Sequence, residues 1–187
     1  MKNIDICTEQ KADDGYKWYV MRDLKRHNDK SPAYKVLSEA NFEVFTPMVQ
    51  KESIKNGKKI KELVPYIRDL LFVHSSKEQI DSFIYNIPTL QYRFLKGGKY
   101  KEAIVVDDFS MNCFIKAVNE FNHKLCTSSQ IDKALIGEKI KIVEGTLNGA
   151  EGVLLKIKGS RKKRVLIKLL DLMVAVIEID AESIEKL

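Results

Sequence analysis

The chain has 187 residues, room for one medium domain or two small ones; 44% are apolar, enough for a core, and 31% are charged. No apolar run approaches the ~20 residues needed to span a bilayer, and residues 1–14 mix charges without an apolar stretch, which excludes a secretory signal. The net charge of +6 favours a polyanionic neighbour such as nucleic acid without requiring one.

Residues 1–15 are expected to form a flexible leader on a cytoplasmic protein. Residues 17–21 (KWYVM) have the aromatic and β-branched content of a strand. Ser31-Pro32 pairs an N-cap with proline at the first helical position, and Ala33, Val36, Leu37 and Ala40 follow at helical spacing. That helix is expected to end near Asn41, before the extended pattern of residues 42–47 (FEVFTP). Residues 50–62 hold Lys51, Lys55, Lys58, Lys59 and Lys61 around Asn56-Gly57, a strong turn signal, and predict a projecting basic β-hairpin.

A buried strand is expected over residues 69–74 (DLLFVH). Ser75 or Ser76, with Glu78 and Gln79 at capping-box distance, opens a helix whose inner face is Ile80, Phe83 and Ile84. Residues 90–95 and 103–106 read as strands around the Gly97-Gly98 turn. Asp107 or Asp108 starts a third helix with Met111, Phe114, Ile115 and Val118 on one face. Residues 122–136 lose all strong periodicity and read as a linker. After Gly137 the pattern is all-β, with short runs at residues 139–143, 151–158, 164–170 and 174–179. The expected fold is α+β: an N-terminal antiparallel sheet with packed helices over residues 16–121, then a small all-β barrel over residues 137–187.

No catalytic constellation emerges. His27, His74 and His123 are widely spaced, and neither a Walker loop nor a dinucleotide glycine fingerprint is present. The three cysteines, Cys7, Cys113 and Cys126, are odd in number and scattered, as free thiols in a reducing compartment would be. Cys126 follows His123 by three residues without a second ligand pair, so no metal or cofactor is expected. The expectation is a protein without enzymatic activity.

The most specific segment is residues 137–153, GEKIKIVEGTLNGAEGV. Gly145, Gly149 and Gly152 permit positive φ or close backbone approach in a tight loop between strands. With Val143, Leu147 and Asn148 it resembles the KOW motif, found in NusG-type factors and in some ribosomal proteins. Upstream, Trp18-Tyr19-Val20, Phe45-Thr46-Pro47, residues 64–73 (VPYIRDLLFV), Ile87-Pro88 and residues 103–108 (AIVVDD) resemble, in order, the N-terminal (NGN) domain of the NusG family and its RfaH-type paralogues.

The resemblance implies a transcription elongation or antitermination factor, with an NGN-like domain over residues 16–121 and an SH3-like KOW barrel over residues 137–187. It implies an apolar pocket for the RNA polymerase clamp, expected from Tyr19, Phe45, Ile67, Leu70 and Phe72. The family's Phe-Pro-x-Tyr-x-Phe-Val element falls on residues 67–73, where Phe72 and Val73 match while Ile67, Arg68 and Leu70 depart from it. The departures suggest a specialised paralogue, most similar to the UpxY-type regulators of capsular polysaccharide operons. An aliphatic pocket still buries a partner's apolar side chains at ~25 cal/mol per Å².

Lys25 and Arg26, with the hairpin lysines, are candidates for contact with the non-template DNA strand or the polymerase, through sequence-independent attraction to phosphates. The same lysines equally serve to guard edge strands against pairing. Tyr66, Tyr92 and Arg93 are candidates for stacking on a single strand, and Lys158 with residues 161–164 (RKKR) forms a second basic cluster. Leu147 and Asn148 occupy the position that, by resemblance, meets a ribosomal protein, Rho or another factor. The expected protein is a monomer without membrane contact. A ribosome- or RNA-binding protein using the KOW module without polymerase is the alternative. RfaH-type relatives can fold this segment as a helical hairpin, but its Val and Ile content predicts strands here.

Overall fold

The computed structural model describes residues 15–25, 31–55, 58–121, 123–156 and 162–187. Residues 1–14 of the expected leader, Arg26, His27, the Asn56-Gly57 turn and the cluster residues Lys158 and Arg161 lie outside them. Strand β1 (Lys17–Asp23) is followed by α1 (Ala33–Glu39), β2 (Glu43–Phe45), the hairpin β3 (Met48–Lys55) and β4 (Lys58–Pro65), and β5 (Leu70–Ser75). Then come α2 (Lys77–Ile84), β6 (Leu90–Tyr92), β7 (Val105–Val106) and α3 (Asp108–Glu120). The remainder is β8 (His123–Cys126), β9 (Ile136–Ile142), β10 (Glu151–Leu155), β11 (Lys163–Leu169), β12 (Met173–Ile179) and β13 (Ile184–Lys186). The mixed α+β class with a C-terminal all-β part is as expected, and residues 166–172 and 181–187 form no α-helix.

The first sheet runs β2-β5-β1-β6, with β7 also paired to β1, and every pairing is antiparallel. Because strand side chains alternate faces, the register sorts its residues cleanly. Tyr19, Met21, Leu71 and Val73 join Leu37 of α1 and Ile80 of α2 in one core. Trp18, Val20, Leu70 and Phe72 join Met111 and Phe114 of α3 in the other. The helices therefore cover both faces, and each fully buried ring such as Phe72 or Phe114 contributes about 1.5–3 kcal/mol of apolar burial.

The helix starts are partly as expected. Ser76 accepts the Gln79 N–H at 3.3 Å and Asp107 accepts the Ser110 N–H at 2.8 Å. At α1, Pro32 rather than Ser31 holds the cap position, and no side chain of the cap residue bonds the helix. The missing acceptor comes from β1: Asp23 Oδ2 takes the Ala33 N–H at 2.7 Å and Oδ1 takes the Lys25 N–H at 3.0 Å. Asn41 ends the helical segment in the left-handed region at φ 62°.

The second sheet has the order β13-β9-β10-β11-β12-β8, again antiparallel throughout. Within residues 122–136, read from sequence as a linker, the structure places β8, paired with β12 from His123↔Ile177 to Cys126↔Val174. A four-residue strand with only Leu125 and Cys126 buried is too short to show a period. Buried side chains of α3 span about half of its circumference, wider than the ~100° stripe of a helix with one neighbour. The surplus has a partner: α3 packs on β1 and also on β8, β11 and β12. Phe72, Phe114, Leu125, Ile140 and Ile167 belong to one continuous core that joins the two sheets.

Candidate functional site

Of the expected pocket residues, Phe45, Ile67, Leu70 and Phe72 lie on the α3 side of the first sheet. Leu70 and Phe72 are buried, and Phe45 and Ile67 are half-buried around them. The Phe45 ring centroid lies 6.3 Å from Phe72 and 6.3 Å from Phe114, the latter edge-on. Tyr19 is not brought to this group. One residue along β1 from Val20, it points to the opposite core and packs edge-on to Tyr92 at 5.6 Å. Burial pushes its hydroxyl pKa up, opposed by Lys77.

The rim of the same face is tied to the C-terminal half. Tyr66 donates its hydroxyl to Gln130 Oε1 at 2.9 Å, and burial followed by the neighbouring Cys126 raises its pKa. Lys116 of α3 donates to the Thr146 carbonyl at 3.2 Å. A Cβ at Gly149 would lie 3.4 Å from Phe109 Cζ, so the glycine loop sits against the start of α3. The apolar face named from sequence is thus already engaged within the chain.

The loop itself is closely bonded. Gly149 donates to the Ile142 carbonyl at 2.8 Å, and Ile142 donates to that of Ala150 at 2.9 Å. Gly145 and Gly149 adopt φ of 75° and 87°, where an L side chain is strained. Gly152 is required for space, since a Cβ there would lie 2.5 Å from Val165 Cγ1. Val143 is half-buried and donates to the Ser183 carbonyl at 3.0 Å. Leu147 is a core residue, 1% exposed, whereas Asn148 beside it is exposed. Only Asn148 of that pair faces outward.

The hairpin β3–β4 stands as its own two-stranded sheet. Its register puts Lys59 and Lys61 on one face with Ile54 and Leu63, and Lys51 and Lys58 on the other with Glu62 and Ile60. Lys51, Lys58, Lys59 and Lys61 are exposed, and the described side chains do not include that of Lys55. Lys61 lies 3.9 Å from Glu52, a loose surface pair. Lys25 instead donates to the Ser31 carbonyl at 2.7 Å.

The residues expected to stack are occupied. Tyr92 donates to Asp81 at 2.9 Å, Arg93 pairs with Asp69 at 2.8 Å, and Tyr66 is held by Gln130. Arg164 of the second basic cluster pairs with Glu178 at 3.1 Å. His74, widely separated in sequence from any partner, sits between Glu43 at 2.8 Å and Asp108 at 3.6 Å, stacked on Trp18 at 5.0 Å. Only tertiary folding assembles that group, beside a cleft lined by Tyr16, Asn41, Glu43, Gln79 and Ser82.

No helix among the described residues is long and apolar enough to cross a membrane. Residues 16–115 match a protein family described as transcription termination factor NusG. A solved structure of NusG from Thermotoga maritima, described as showing its domain interaction, is similar at 16% identity. It covers 92% of this chain and 97% of its own, with a TM-score of 0.46. No curated protein matches the sequence.

Proposed function

The chain belongs to the NusG family of transcription factors, and from that premise we propose that it is an elongation and antitermination factor that binds RNA polymerase. Residues 16–121 serve as the polymerase-binding domain, and residues 137–187 serve as a KOW domain that recruits a ribosomal protein, Rho or another factor, with Asn148 at the contact. The departures at Ile67, Arg68 and Leu70 support a specialised paralogue of the UpxY type, acting on long operons such as capsular polysaccharide loci. It works in the cytoplasm as a monomer, with the lysines of β3 and β4 directed toward non-template DNA.

The observation that carries this reading is the apolar group Phe45, Ile67, Leu70 and Phe72 gathered on one sheet face. Such a face buries the apolar tip of a partner at ~25 cal/mol per Å². In this structure the same core extends into the C-terminal sheet. Leu70 and Phe72 lie beneath α3, so polymerase binding by this route uses the half-buried Phe45 and Ile67 and requires the C-terminal half, tied at Tyr66–Gln130, to release that rim. The affinity observed is reduced by the fraction of molecules still closed. The test is capture of purified RNA polymerase by the intact chain and by Ile67→Asp, with circular dichroism to confirm folding. Ile67 is half-buried, so the variant keeps the deeper core. Loss of capture is expected; undiminished capture by a folded Ile67→Asp removes the pocket from the account.

A further inference from the structure

We propose that the turn following β6, residues 94–103, is a contact surface for single-stranded nucleic acid. It rests on the proposed place of this chain at a transcribing polymerase, where a displaced strand is at hand.

The segment FLKGGKYK starts at Phe94, which forms an antiparallel bridge with Ala103. Lys96, Lys99 and Lys101 are all exposed, and the first acidic side chain is Glu102. Glu102 is spent on the turn: its Oε2 accepts the Lys99 N–H at 2.9 Å. Leu95 N–H to the Glu102 carbonyl at 2.9 Å and Glu102 N–H to the Lys99 carbonyl at 3.1 Å complete a built tip. Gly97 takes φ +82°, and a Cβ at Gly98 would lie 2.9 Å from Leu95 Cβ, so glycine is needed at both.

Two aromatic rings stand among these lysines. Tyr100 is 89% exposed, with Lys101 Nζ 5.3 Å from its ring centroid, and Phe94 is 47% exposed. Phe94 ends a row of rings that begins in the core: Tyr19 to Tyr92 at 5.6 Å and Tyr92 to Phe94 at 6.4 Å. Asp81 fixes the middle ring through the Tyr92 hydroxyl. Leaving such rings in water forgoes apolar burial, and their chemistry names the occupant. Bases stack on exposed aromatic faces while lysines attract the phosphates between them. A duplex hides its base faces, so a single strand uses both features and a duplex uses only the charge.

The test is fluorescence anisotropy of labelled oligo-dT, and of a duplex of equal length, with the full chain across a salt series. Tyr100→Ala is expected to weaken oligo-dT binding about fivefold or more while leaving duplex binding unchanged. The triple variant Lys96→Ala/Lys99→Ala/Lys101→Ala is expected to flatten the salt dependence for both probes. All replaced side chains are exposed, so circular dichroism should match the parent. Oligo-dT affinity and salt slope unchanged in both variants would overturn the proposal. So would loss of polymerase capture by Tyr100→Ala with oligo-dT binding intact, which would make the turn a protein contact. The failure of Ile67→Asp to reduce polymerase capture concerns the other reading alone.

Discussion

Tyr66 and Gln130, far apart in sequence, meet through one hydrogen bond of 2.9 Å that joins the turn before β5 to the segment between β8 and β9 of the second sheet. Gln130 Oε1 also accepts the Thr127 N–H at 2.9 Å, so removing the tyrosine hydroxyl leaves no orphaned acceptor. Tyr66→Phe should therefore cost only about 0.5–1.5 kcal/mol. If polymerase competes with the closed arrangement, the same loss raises apparent affinity by up to about tenfold. Thermal unfolding and polymerase titration of the variant check both. A lowered melting temperature with weakened polymerase binding would refute the competition.

The Tyr92–Asp81 pair gives a pH dependence with a defined sign. Burial, then the hydrogen bond to Asp81, raises the Tyr92 pKa well above its ordinary value of 10.0. The folded state thus holds a proton that the unfolded chain releases near pH 10, so this stability is complete below that pH and is lost progressively above it. For Asp81, burial works to raise the pKa but hydrogen bonds from Lys77 and Tyr92 outweigh it and hold the carboxyl below its ordinary 3.8. That contribution is present above the unfolded value and lost as pH falls through the folded one. Urea unfolding of Tyr92→Phe across alkaline pH should show a shallower decline than the parent; an identical decline would place the alkaline sensitivity elsewhere.

Gly152→Ala tests the close approach of β10 to β11. A Cβ would meet Val165 Cγ1 at 2.5 Å and the Leu166 carbonyl at 3.0 Å, a clash with buried groups. Overpacking of this kind should cost about 1–3 kcal/mol. Chemical denaturation should report the loss as a lowered midpoint with an unchanged slope, and a midpoint within error of the parent would contradict the packing described.

Asp23→Ala tests a cap that acts across sequence. The carboxylate holds the Ala33 and Lys25 N–H groups together, so its removal should destabilise the chain by about 0.5–2 kcal/mol. Asp23→Asn keeps an acceptor and should recover much of the loss. Equal melting temperatures for the parent and the alanine variant would show that the cap contributes nothing.

Local physics was legible in the residues alone. Aromatic and β-branched content placed β1, a buried apolar run placed β5, Ser76 and Asp107 announced helix starts, Asn41 marked a helix end, and the glycines of residues 137–152 marked a constrained loop between strands. Each of these signals lies within a few positions of the backbone it governs, so the chain carries it without reference to the rest of the fold. The grouping of Phe45, Ile67, Leu70 and Phe72 came from the family resemblance alone, and the structure places the four against one core. A family resemblance does not say which face of β1 a side chain uses, and Tyr19 lies on the face opposite the other four.

What the sequence determined by itself is most of the elements and their order, the glycine loop and the resemblance to NusG-type factors. The tertiary structure alone decided that α3 serves two sheets, that β8 completes the second, that Asp23 caps a helix it precedes by ten residues, and that Leu147 is core while Asn148 is surface. The reason is physical. Local conformation follows from sterics and hydrogen bonds among neighbours, whereas burial follows from which apolar faces meet, and that pairing is settled only when the whole chain is packed.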